Sequence, residues 1–154
     1  MVAPVLDEAV LGKDFDVRPD ALAALRAVVD VIAPGIGGLD RASERGVHLR
    51  LAQCLELAQR GSTTLLARML DMYARTVRPS ARFVELVPDE QDQVLRAIAA
   101  EDLDELRDLI DGVHVYTLNG YVTEWRRDGE LRRPPVWEVM GYHGPAAAHR
   151  WSDA

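Results

Sequence analysis

Apolar residues recur at helical spacing along most of this chain. Leu22, Leu25, Val28, Val29 and Ile32 form a first row that starts just after Pro19 and stops at Pro34 and the glycines behind it. Proline suits a first helical turn, and glycine and proline together end one. Val47, Leu51, Cys54, Leu55 and Ala58 form a second row that ends at Gly61, where a helix C-cap favours glycine. Ser62 is then expected to cap a third helix with Leu65, Leu66, Met69, Leu70 and Tyr73 inward, ending before Pro79. A short apolar turn, Phe83, Val84, Leu86 and Val87, leads to Pro88 and a fourth helix carrying Val94, Leu95 and Ile98. Asp102 and Glu105 have the spacing of a capping box, preceding a fifth row of Leu103, Leu106, Leu109, Ile110 and Val113 that fades near Gly120.

No run alternates apolar and polar residues with a period of two, and no internal repeat is present. The expected fold is therefore all-α: a small irregular helical bundle in a single domain, 1–154. Residues 1–18 are expected to form an extended arm, 19–124 the bundle and 125–154 an irregular aromatic tail.

Charge narrows the functional classes. A net charge of −7 and a pI near 5.0 argue against nucleic acid and anionic lipid as partners, since both require a basic face. Cys54 is the single cysteine, which leaves no internal disulfide and no thiolate zinc site. The opening MVAPVLDEAVLGKDFDV has no basic region followed by an apolar run, and no later stretch approaches the roughly 20 apolar residues of a membrane span. The expectation is a chain without membrane insertion. As it stands its place is the cytoplasm, or an extracytoplasmic compartment if an export signal has been removed or is carried by a partner.

The tail differs from the bundle in kind. Residues 125–154 hold all three tryptophans, with five arginines against four acids, and six of the nine aromatic residues lie after residue 115. Aromatic and arginine enrichment is the composition of a protein-binding surface. The other use of such a segment is as a lid over the open end of a small bundle.

Little in the chain carries chemistry. PGIGGLD, residues 34–40, follows a helical row, whereas a dinucleotide fingerprint follows a strand with glycines spaced G-x-G-x-x-G, so it reads as an interhelical turn. His48, His114, His143 and His149 include no pair at i, i+4 and no H-E-x-x-H, and no serine sits in a G-x-S-x-G elbow. No catalytic, cofactor or metal residue is assigned. His114, near Asp111 on one helical face, would be the general base of an alternative reading as a small helical enzyme. A free-standing helical interaction or regulatory protein is the other alternative. Glu101, Asp104, Glu105, Asp108 and Asp111 form an acidic stripe, and the doublets Arg126–Arg127 and Arg132–Arg133 flank an expected turn at Asp128 and Gly129. Those arginines are suited to a partner's carboxylates.

Four stretches taken in order are suggestive: VVDVIAPG (28–35), ERGVHLRLAQCLE (44–56), FVELVPDEQDQVLRAI (83–98) and W-x-x-M-G-Y-H-G-P (137–145). Together they resemble the gluconate 2-dehydrogenase subunit 3 family, the small subunits of flavin-dependent sugar and sugar-acid dehydrogenases. The resemblance covers about residues 20–145. It implies a noncatalytic subunit that pairs with a large flavoprotein of the glucose-methanol-choline type. FAD and catalysis would reside in that partner, which often passes electrons to a cytochrome c subunit. Two departures accompany it: the family's twin-arginine export signal has no counterpart, and EWRRDGELRRPP (124–135) replaces a glycine-rich stretch before the terminal tryptophan. The partner-binding residues expected on this basis are Trp125, Arg126, Arg127, Trp137, Met140, Gly141, Tyr142, Gly144, Pro145 and Trp151.

Overall fold

The computed structural model describes residues 14–123, 125–127 and 130–142. Asp14 and Phe15 are helical, and the helices after residue 18 among the described residues are α1 (Pro19–Ile32), α2 (Val47–Ala58), α3 (Ser62–Val77), α4 (Pro88–Ala99), α5 (Asp104–Val122) and the short α6 (Pro135–Val139), with a 3-10 turn at Phe83–Glu85. Strands β1 (Trp125–Arg127) and β2 (Glu130–Arg132) lie between α5 and α6. The fold is the all-α bundle expected from the apolar rows. The chain forms two compact units, one ending at Tyr121 and the other beginning at Val122.

In the first unit, α3 packs against α1 and α4, α2 packs against α1 and α3, and the 3-10 turn contacts α1 and α3. Leu25, Val28, Leu51, Leu66, Leu70, Phe83, Val94, Ile98 and Ile110 are fully buried, so each of the five apolar rows contributes to one core. Helix α1 starts with Pro19 inside its first turn, with Asp20 beside it where the helix dipole favours an acid. It ends at Ala33, and Gly35 then takes φ +75° with its backbone packed so closely that a Cβ would lie 2.5 Å from the Leu39 carbonyl oxygen. Only glycine fits there, and the PGIGGLD segment is the close-packed turn that its position after a helix implied.

Three carboxylates fasten loops to this core. Asp30 accepts hydrogen bonds from the Ser43 amide (2.8 Å) and hydroxyl (2.7 Å). Asp71 accepts from the Phe83 amide (2.9 Å), while Gln91 donates to the Phe83 carbonyl (3.1 Å). Glu56, buried in α2, accepts from the amides of Gly61 (2.7 Å) and Thr63 (2.9 Å). This last contact corrects the expected cap of α3. Gly61 occupies the N-cap, Ser62 is the first helical residue, and the carboxylate that satisfies the exposed amides comes from the preceding helix.

The buried row of α5 also departs from expectation. Leu103 precedes the helix and is exposed, and the buried residues are Ile110, Val113, Thr117 and Tyr121. The row continues past Gly120, whose missing side chain lets Val47 approach; a Cβ there would lie 3.1 Å from a Val47 methyl. Arg45 holds this end of the helix. Its buried guanidinium donates to the Tyr121 carbonyl and lies 4.9 Å from the centre of the Tyr121 ring, and the Tyr121 hydroxyl donates to the Asp40 carbonyl (2.8 Å). Burial lowers the Arg45 pKa, against the influence of Tyr121 and Asp40.

The second unit is more regular than the irregular tail expected. β1 and β2 pair antiparallel, with Trp125 opposite Arg132, Arg126 opposite Leu131 and Arg127 opposite Glu130. The expected turn at Asp128 and Gly129 lies outside the described residues, as does the arm through residue 13. Strands of three residues are too short to produce a period of two in the sequence.

Candidate partner-docking site

The residues of W-x-x-M-G-Y form a hook whose shape follows from one helix-stop motif. Helix α6 opens with Pro134 as its N-cap and Pro135 in its first turn, and is followed by Met140 and by Gly141 at φ +66°. The Gly141 amide donates to the Glu138 carbonyl (3.1 Å) and the Tyr142 amide to the Trp137 carbonyl (2.8 Å). These are the two bonds of a Schellman stop, which needs a left-handed residue where Gly141 stands and brings the next residue over the last turn. Tyr142 accordingly meets Trp137 edge to face, with ring centres 4.8 Å apart and planes at 82°. The Trp137 indole N–H donates to the Val122 carbonyl (2.6 Å), occupying one of the acceptors that a helix end leaves open.

Trp137, Gly141 and Tyr142 thus shape the hook, and the exposed surface falls mainly to its neighbours. Val139 and Met140 are each 70% exposed and Tyr142 46%. Two large apolar side chains on a glycine-locked turn form a small, preorganised contact surface, the kind of arrangement that binds with little loss of side-chain and loop freedom.

Trp125, Arg126 and Arg127 lie in β1, and Gly144, Pro145 and Trp151 lie outside the described residues.

Of the four histidines, His48 is buried in α2, and His114 Nδ1 donates to the Ile110 carbonyl one turn earlier (2.9 Å). His143 and His149 lie outside the described residues. Among the described residues no group of three His, Cys, Asp or Glu side chains is placed to hold a metal, and no helix is long and apolar enough to cross a membrane. Burial raises the Cys54 pKa, with the Arg50 charge opposing it.

Two surface features escape the apolar rows. Val115, Tyr116 and Leu118 on α5 are 60%, 52% and 49% exposed. Beside the start of α3, Leu65, expected to face inward, is instead exposed and lines a groove with Phe15, Thr64, Arg68 and Arg60, whose guanidinium lies 5.9 Å from the Phe15 ring centre. The first feature could have been found by scanning α5 for a second apolar face. The second depends on tertiary contact and leaves no mark in the sequence. No family model, curated protein or solved structure matches the chain.

Proposed function

We propose that this chain is the noncatalytic small subunit, of the gamma type, of an FAD-dependent sugar or glycoside dehydrogenase or oxidase complex. It stabilises or matures a large flavoprotein of the glucose-methanol-choline type, which carries FAD and performs the oxidation. Electrons leave through that flavoprotein to a cytochrome c or another acceptor.

The observation that carries the reading is the hook. The same W-x-x-M-G-Y residues on which the family resemblance ends form a locked turn that leaves Val139, Met140 and Tyr142 exposed, as a docking element requires. A partner that binds only the folded state stabilises that state by mass action, which gives a subunit without chemistry a function in the complex.

The test is copurification of the chain from its native source, with the visible spectrum of what accompanies it. The expected result is a flavin spectrum that belongs to the partner, while the chain expressed alone is colourless. Stoichiometric flavin on the isolated chain, or copurification with no flavoprotein, would overturn the proposal.

A further inference from the structure

Helix α5 carries a second lengthwise row on its outer face. Asp104, Asp108, Asp111, Val115 and Leu118 follow one another at intervals of four, three, four and three residues, and all five are exposed. That interval is the seam spacing of paired helices, and the row spans roughly 21 Å at 1.5 Å per residue. Its two halves differ. The first is acidic, within a stretch from 101 to 111 that holds six acids and one arginine, and the second is apolar, with Tyr116 beside it.

The helix dipole accounts for Asp104 and Glu105 in the first turn but not for Asp108 and Asp111 further along. Asp104 is paired with Arg107 (3.4 Å), whereas among the described residues Asp108 and Asp111 have no ion-pair or hydrogen-bond partner.

We infer that this face docks one helix of a different protein, a helix whose own seam is basic over one half and apolar over the other. Charge complementarity selects that occupant over a second copy of the chain. Two copies aligned in parallel would set Asp108 and Asp111 against themselves, and antiparallel copies would desolvate the carboxylates against Val115 and Leu118. A helix with lysine or arginine facing the acids and leucine facing Val115 and Leu118 satisfies both halves at once. The inference is independent of the hook and of the nature of the partner proposed above.

The probe is a pair of synthetic helical peptides of about 18 residues, the span of the row plus a turn. One has lysines and then leucines along its seam, the other has the reverse order, and a third with the same residues shuffled serves as control. With the full chain, at least one ordered peptide should bind about tenfold or more tightly than the shuffled one, a difference of ~1.4 kcal/mol. The double change Asp108→Lys with Asp111→Lys should abolish that preference. Leu118→Glu separates docking from simple attraction of cations to an acidic protein. It adds negative charge, so mere attraction would strengthen binding, whereas seam docking predicts a loss of about tenfold. Circular dichroism confirms that each variant is folded. Equal binding of the shuffled peptide, or undiminished binding by a folded Leu118→Glu, overturns the inference. So does a dimer of the chain in sedimentation that Leu118→Glu dissociates, because the occupant is then a second copy.

Discussion

Glu56 contributes more to this fold than its place in a mostly apolar helix suggests. Its carboxylate is buried and meets two amides at the start of α3, so removing it leaves the buried Thr63 donor unsatisfied and the Gly61 donor to the solvent. Glu56→Ala is expected to destabilise the chain by about 2–3 kcal/mol, seen as a lower urea midpoint with an unchanged slope. Tyr73 gives a pH-dependent counterpart. Its hydroxyl donates to Glu101 (2.8 Å), and that bond, followed by burial and the carboxylate charge, raises the phenol pKa above its ordinary 10.0. The unfolded chain therefore releases this proton first. Stability from the pair is complete below the ordinary value and is lost as pH rises through the higher folded one. The stability difference between wild type and Tyr73→Phe should be largest near neutrality and shrink above about pH 10, read from denaturant midpoints across that range.

At the scale of elements, the sequence reading succeeds where a local signal decides the outcome. Pro19 and Pro88 open helices and the Phe83 turn stands between α3 and α4 as expected, whereas Gly61 serves as the N-cap of α3 and the C-cap of α2 is Gln59. It misses where a distant group decides. Ser62 had the residue type of a cap, but Glu56 reaches the amides first; the α5 row continues through Thr117 and Tyr121, whose polar atoms hide it from an apolar count. The site divides in the same way. The unusual residues of the hook were legible, whereas the exposure of Val139 beside Met140 follows from the stop at Gly141 and could not be read from composition. Gly141→Ala puts a side chain on a left-handed residue at a cost of about 1 kcal/mol, which should loosen the turn without unfolding the bundle. The expected outcome is a shifted tryptophan emission and weaker partner binding at an unchanged main melting transition.

On the scale of the whole molecule, the unit ending at Tyr121 holds the buried core, and the proposed contact with the flavoprotein falls to the unit beginning at Val122. Met140→Ala and Tyr142→Ala, which remove the exposed side chains of the hook, should each weaken the proposed flavoprotein complex by about 2 kcal/mol, while Asp104→Ala, an exposed group already paired with Arg107, should change it by less than about 1 kcal/mol. Removing residues 125–154 deletes all three tryptophans but none of the bundle's buried residues. The most direct measurement is a titration of the copurifying flavoprotein with the full chain and with this truncation, each melted in parallel. The account predicts that the truncated chain keeps its helical circular dichroism and cooperative melting but no longer binds. It is contradicted if the truncated chain binds as well as the full one, or if it unfolds, which would make the tail a lid on the bundle.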